Sequence, residues 1–313
     1  MKKTIIAALA AICSFVCSAQ EHLRPEPDVT CLFARRDTCD LYLDIYNPAD
    51  SLCTGKPTVI FAFGGGFMSG SRDHISYAGW FRTMTDAGYR VVSIDYRLGL
   101  KGMKDVRINK KFINALDNAI GVAVEDLFSA TSFLIDNATE LGIDPGNIVI
   151  SGSSAGAITA MQAEWEICNG SEAASVLPDG FNYAGVMSFS GAIFSKVGAI
   201  RYTRLRPCPT VMFHGDADKM VPYSQIAFLK LRFAGSDVIA KTFAKEGYSY
   251  RIYRFAGHGH EIAGTMDRNF SREDDFLRND VMSGKPAAVD SLIRDSGIEV
   301  PDWAAGDFKT IYK

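Results

Sequence analysis

Asn147-Ile-Val-Ile-Ser-Gly-Ser-Ser-Ala-Gly156 decides how this chain folds. Asn147–Ser151 is a short apolar run of the kind a buried strand shows. Ala155–Ile167 reads as a helix. Between them Gly152 and Gly156 bracket Ser154 in the pattern Gly-x-Ser-x-Gly. A strand that turns at once into a helix leaves no room for side chains at the flanking positions, so glycine is required there. Such a turn lifts the serine hydroxyl above the sheet edge, and the helix N-terminus beneath it favours developing negative charge. Ser154 is therefore the candidate nucleophile. Ser153, at the x position, is expected to point away.

Working outward, Thr58–Phe63 and Arg90–Asp95 are further continuous apolar runs, and Ala184–Phe189, Thr210–Phe213 and Tyr250–Phe255 complete a set of buried strands. Thr38–Tyr46 alternates with period two, putting Cys39, Leu41, Leu43 and Ile45 on one face of a half-buried, antiparallel strand with Cys39 in the core. Ser76–Ala87 and Gly121–Glu140 carry helical periodicity. Gln225–Phe233 and Arg272–Met282 are helix candidates. Strands alternating with helices predict an α/β fold, a mostly parallel doubly wound sheet with helices on both faces. Residues 99–118, with Lys101, Lys104, Arg107, Lys110 and Lys111, and residues 165–183 read as small insertions able to overhang a site as a cap.

Serine is a weak nucleophile without a base. Of five histidines, His22 lies near the start, His74 follows a glycine-rich loop and His214 sits in a separate motif, which leaves His258 and His260 in Gly257-His-Gly-His-Glu261. The acid belongs between serine and histidine, and Phe213-His-Gly-Asp-Ala-Asp218 offers Asp216 and Asp218. The acid must reach across a turn to the imidazole, which favours Asp218, further into the loop; Asp216 fits turn stabilisation. Phe63-Gly-Gly-Gly-Phe67 follows a strand, and its bare backbone lets N–H groups approach a substrate. Gly65 and Gly66, with Ala155, are the candidate oxyanion donors.

These motifs together resemble the carboxylesterase and lipase branch of the α/β-hydrolase superfamily, over roughly residues 38–280. The chain is most similar to hormone-sensitive-lipase-like esterases and bacterial enzymes acting on acylated plant polysaccharides. Leu41-Tyr-Leu-Asp-Ile-Tyr-Asn-Pro48 resembles the opening strand, and Asp95-Tyr-Arg-Leu98 matches a family motif. His214-Gly-Asp-Ala-Asp218 matches His-Gly-x-x-Asp, which supports Asp218. Gly257-His-Gly-His-Glu261 resembles the form that makes His260 the base, whereas another family form would choose His258. Phe63 departs from the family's oxyanion-loop histidine, and Gly99-Leu100-Lys101 stands where Ala-Pro-Glu often follows. The resemblance implies a Ser154–His260–Asp218 triad, an acyl-enzyme and hydrolysis of carboxylic esters, with short-chain, acetyl or feruloyl esters of carbohydrate as substrates. The alternatives are a serine peptidase of the same fold and a non-catalytic binding protein built on it.

The rest of the composition narrows the setting. The net charge of −3 lacks the cationic surplus that nucleic acid binding needs. Lys2 and Lys3, the apolar run Ile5–Val16 and Cys17-Ser-Ala-Gln20 have the layout of a secretory signal peptide covering residues 1–19, followed by one catalytic domain over 20–313. The run is shorter than the ~20 residues of a membrane span. Cys13 and Cys17 follow bulky Ile12 and Val16, where lipid attachment takes a small residue. The expectation is a periplasmic or secreted protein. Five cysteines then remain, Cys31, Cys39, Cys53, Cys168 and Cys208, an odd number that leaves one thiol unpaired within the chain. No spacing implies a metal, a cofactor or a nucleotide loop.

Overall fold

The computed structural model describes residues 26–49, 55–104, 109–304 and 306, so the expected signal segment, His22 and Cys53 lie outside the described residues. In chain order come β1 (Val29–Arg36), β2 (Cys39–Tyr46), β3 (Thr58–Ala62), α1 (Ala78–Asp86), β4 (Arg90–Ile94), α2 (Lys110–Asp136), β5 (Ile148–Ser153) and α3 (Ala155–Asn169). They are followed by β6 (Gly185–Phe189), β7 (Ala192–Ser195), β8 (Thr210–Gly215), β9 (Gln225–Phe228), β10 (Leu231–Gly235), α4 (Ser236–Glu246), β11 (Tyr250–Phe255), α5 (Met266–Phe276) and β12 (Ala288–Ile293).

Nine strands form one sheet in the order β1-β2-β4-β3-β5-β6-β8-β11-β12. β1, β2 and β4 pair antiparallel; from β4 to β12 every pairing is parallel. The inner strands β3, β5, β6 and β8 are buried at every position, as strands covered on both faces must be. Helices cover both faces, α2 packing on α3 and α1 on α5. Rings of β6, β8 and β11 stack across the sheet: Phe189 on Phe213 at 4.6 Å and Phe213 on Tyr253 at 5.2 Å. The α/β reading therefore holds, with an antiparallel edge at β1–β2.

Four expectations change. Cys39 is exposed; the buried face of β2 starts at Leu41. Gln225–Phe233 is not a helix but the hairpin β9–β10, which joins β7 in a separate three-stranded antiparallel sheet. Its apolar residues fall at spacings that suit a helix as well as a strand. Its two-residue loop, Leu229-Lys230, has none of the usual turn residues, although Leu229 sits at φ 51°. The helix expected from Gly121 begins at Lys110, capped by Asn109, whose side chain accepts the Phe112 N–H at 3.0 Å. Lys110 and Lys111 thus belong to α2. Finally, α5 starts at Met266, not Arg272, and continues into a wider helical turn over Leu277–Met282.

With 27 residues, α2 is long and apolar enough to cross a bilayer, but its apolar side, from Phe112 through Leu134, is buried in this core. Cys31, Cys39, Cys168 and Cys208 are all free thiols.

A buried carboxyl marks α3. Glu164 Oε1 accepts the Cys208 N–H at 2.7 Å and the Cys168 thiol at 3.4 Å, while Oε2 has no partner among the described residues. Burial pushes its pKa up, outweighing these hydrogen bonds. The folded protein keeps a proton that the unfolded chain releases. Its stability therefore declines as pH rises above the ordinary carboxylate range, by at most about 1.4 kcal/mol per pH unit for this group. Glu164→Gln keeps the acceptor and removes the titration. Urea unfolding at pH 4 and 7.5, below and above the ordinary carboxylate range, is expected to show the variant gaining on the wild type at the higher pH; a constant difference between the two would contradict the assignment.

Candidate active site

The chain ends strands β3, β5, β8 and β11 at the same edge of the parallel sheet, and each end carries one candidate group. β3 lies between β4 and β5, so successive connections leave it in opposite directions. Such a switch point opens a crevice beyond the strand ends.

At the end of β5 the chain turns into α3 through Ser154, which has φ 52° and ψ −114°. A non-glycine residue holds this conformation only where its surroundings enforce it. Here the Ser154 N–H donates to Phe189 O at 2.9 Å, and Ser154 O accepts from Ile158 N at 2.9 Å. A Cβ on Gly152 would lie 2.2 Å from the Gly156 carbonyl carbon, and one on Gly156 would lie 1.9 Å from Ala62 O of β3. Both glycines are therefore steric requirements of the turn.

Ser154 Oγ lies 2.8 Å from His260 Nε2, and His260 Nδ1 lies 2.8 Å from Asp218 Oδ2. Asp218 Oδ1 accepts the N–H groups of Met220 and Val221 at 2.8 and 3.0 Å. His214 Nε2 approaches Oδ2 at 3.3 Å. Burial alone would push the Asp218 carboxyl up, but the hydrogen bonds and charges of His214 and His260 outweigh it and hold it well below the usual carboxylate range. Asp218 is thus a carboxylate at any ordinary pH.

The two histidines left open by sequence have different surroundings. His258 uses both ring nitrogens elsewhere: Nδ1 lies 2.8 Å from Glu261 Oε1 and Nε2 lies 2.9 Å from Asp295 O. It braces the loop that carries His260. Asp216 likewise serves the backbone, accepting the Gly257 N–H at 2.7 Å.

The glycine loop after β3 is held at both ends. Gly64 N–H donates to the Tyr77 hydroxyl at 2.9 Å, and Gly64, Gly65 and Gly66 line the same cleft as Ser154. Gly65 has φ 130°, and a Cβ there would lie 2.0 Å from Ser69 O. Its carbonyl accepts from Met68 and Ser69 N–H. Phe63, in place of the family histidine, stacks on Tyr96 at 4.3 Å, and the Tyr96 hydroxyl donates to Phe63 O at 2.7 Å. The flanking residues of the Asp95-Tyr-Arg97 motif are anchors. Asp95 binds Arg72 Nη1 at 2.7 Å and Tyr42 N at 3.1 Å, and Arg97 Nε binds the buried Asp126 at 2.9 Å.

A cleft of about 800 Å³ opens onto Ser154 and His260. Beyond the loops that carry Ser154, His260 and the three glycines it is lined by Tyr77, Trp80, His74, Met220, Asp267 and Trp303. Among the described residues, none of 99–104, 109–118 or 165–183 lines it, and residues 172–176 pack against α2. The overhanging side chain is Trp303, 55% exposed and edge-on to His260 at 6.4 Å between ring centres. Sequence reasoning missed Tyr77, Asp267 and Trp303, which carry no motif and come from distant segments.

Among solved structures, esterase 2 of Thermogutta terrifontis, phosphoramylated by tabun, superposes with a TM-score of 0.58 over 81% of this chain and 96% of that one, at 22% identity. The chain has the α/β-hydrolase fold. Two family models match parts of this chain, BD-FAE over residues 43–166 and Phospholipase/Carboxylesterase over residues 116–265. Fumonisin B1 esterase of Sphingopyxis macrogoltabida is 32% identical over 118 residues, covering 37% of this chain and 21% of that protein. Lipase 1 of Geotrichum candidum is 28% identical over 165 residues, covering 52% and 27%. The chain thus spans roughly a quarter of the length of these curated relatives.

Asp218→Asn keeps the volume but presents an amide to two histidines. In a serine–histidine–aspartate constellation that exchange costs ~10⁴-fold in kcat through the wrong imidazole tautomer. A comparable loss with little change in KM is the expected outcome on any ester the wild type turns over; a variant within tenfold of wild type would remove Asp218 from the triad.

Proposed function

We propose that this α/β-hydrolase cleaves carboxylic esters through an acyl-enzyme on Ser154. The observation that carries the reading is the unbroken chain from Ser154 Oγ through His260 to Asp218 at the floor of an open cleft. His260 Nε2 takes the Ser154 proton as Oγ attacks the acyl carbon. The carbonyl oxygen becomes an oxyanion facing the N–H groups of Gly65, Gly66 and Ala155. Ala155 is the first residue of α3, so its N–H has no intrahelical acceptor. Each such donor is worth ~10²–10³ in rate. The imidazolium, held by Asp218, then gives its proton to the departing alkoxide. Water deprotonated by the same imidazole attacks the acyl-enzyme, and Ser154 recovers its proton as the acid leaves.

The substrates are short-chain or feruloyl esters, with acetyl or feruloyl groups carried on carbohydrate. Esterase 2 of Thermogutta terrifontis has been solved with propionate and with butyrate bound, which supports a short acyl group here. The mix of Trp80, Tyr77 and Trp303 with His74 and Asp267 suits an aromatic acyl group or a polyhydroxylated alcohol better than a long alkyl chain. The enzyme acts outside the cytoplasm, delivered by the segment 1–19.

Two measurements test this. Acetyl, butyryl, octanoyl and feruloyl esters, assayed with Ser154→Ala beside the wild type, should show turnover of the short and feruloyl esters that falls by at least ~10⁴-fold in the variant. Octanoyl preference would overturn the substrate class, and undiminished turnover in the variant would overturn the mechanism. The protein recovered from outside the cytoplasm of an expressing bacterium should begin at Gln20; one that stays inside, beginning at Met1, would refute export.

A further inference from the structure

Leu229, Val197 and Phe228 are the most exposed large apolar side chains among the described residues, at 81, 76 and 71%. All three lie at one end of the small sheet β7-β10-β9. Ser195 of β7 stands opposite Arg232, and Phe228 stands opposite Leu231. Val197 therefore leaves β7 at the end where Leu229-Lys230 joins the two hairpin strands. Ile226 and Phe228 share one face of β9. That face starts in the core, where Phe233 packs edge-on to Phe194 at 6.0 Å, and runs outward past Ile226 and Leu231 to the bare tip.

The tip residue is one that the turn itself disfavours. Leu229 holds φ 51° at the first loop position, where two-residue hairpins take glycine or asparagine. A leucine there is strained and unburied, so it gives the fold nothing that glycine would not. Cations surround it. Lys230 completes the loop. Arg232 Nη1 donates to Leu229 O and Leu231 O at 2.6 and 2.8 Å, which keeps its charge at the tip. Lys196, beside Val197, pairs with Asp117 of α2. Residues 180–215 and 219–236 together hold seven Lys and Arg and no Asp or Glu, in a chain whose net charge is −3. Charge is thus segregated toward this end of the molecule.

The hairpin is held firmly at its base. Gly235 N–H donates to Ser224 O at 2.6 Å and Asp237 N–H to Tyr223 O at 3.0 Å. A Cβ on Gly235 would lie 1.6 Å from Pro222 O. A convex, rigid tip of this kind offers no groove for another protein's side chains. Its apolar centre and cationic rim match the layering of a bilayer, with phosphate outermost and hydrocarbon beneath. We infer that the β9–β10 hairpin docks the protein on an anionic lipid surface. Phe228, Leu229 and Val197 enter the headgroup boundary, and Lys230 and Arg232 meet the lipid phosphates. The docking needs no ester chemistry and holds whatever Ser154 cleaves.

Co-sedimentation with vesicles tests this. The chain from Gln20 onward retains every described residue and lacks the apolar run 5–16, which could bind lipid in the tip's place. It should bind vesicles of equal parts phosphatidylglycerol and phosphatidylcholine at least about tenfold more tightly than pure phosphatidylcholine, and less tightly as salt rises. Phe228→Ser combined with Leu229→Gly should weaken binding about tenfold or more, and Lys230→Glu about fivefold or more. Leu229→Gly alone should weaken binding while leaving Tm unchanged or higher, because glycine relieves the turn; that separates the tip's role from the fold. No binding to the anionic vesicles, equal binding to the neutral ones, or undiminished binding by the double variant would overturn the inference. So would a dimer, seen by sedimentation velocity without lipid, that the double variant abolishes, since the tip would then belong to a second copy of the chain.

Discussion

Everything at this site depends on how closely the turn after β5 passes β3. Gly156 sits against the carbonyl of Ala62 with no space for a single methyl group, and Gly152 sits against Gly156 itself. That contact forces Ser154 into a conformation costing of order 1–3 kcal/mol. The cost is met by the buried parallel strands on either side, whose ladders leave the turn no alternative path. The strain has a use. It brings the Ser154 hydroxyl out over the strand ends and turns the first N–H groups of α3 toward the same space.

Charge is arranged in a second layer around this turn. Asp218 receives four hydrogen-bonding contacts, two from backbone and two from imidazoles, so it has no freedom to rotate away from His260. His258 and Glu261 do the same for the loop backbone, Glu261 accepting the Gly259 N–H as well. The pairs Arg72–Asp95 and Arg97–Asp126 lock the segment that backs Phe63. These ion pairs are partly buried and share partners with backbone groups, and their contribution lies in fixing geometry more than in stability.

Much of this was legible because local chemistry and global fold agree at the sites concerned. The elbow glycines, the apolar strands and the serine–aspartate–histidine order all report constraints that act within a few residues. The choice between His258 and His260 was not local. It turns on Asp295 O, which takes His258 Nε2, and on Asp218, which takes His260 Nδ1, 37 and 42 residues away. The hairpin β9–β10 was misread because its loop has no glycine, asparagine or aspartate to mark the turn, and its partner strand β7 lies thirty residues upstream. Cys39 followed the period of its strand, yet it falls at the open end of β2, beyond the reach of the core. The cleft walls were illegible for the same reason: Tyr77, Asp267 and Trp303 meet only once the sheet has closed.

Trp303 also gives the molecule a timetable. The segment around it lies over the histidine turn, with Ala304 O 3.0 Å from where a Cβ on Gly259 would stand. During synthesis the elbow emerges when the chain is half made, but the wall over its base comes from the last residues described. A ribosome-bound chain therefore holds Ser154 without a finished pocket. The cleft gains its Trp303 wall only once the end of the described chain has been made.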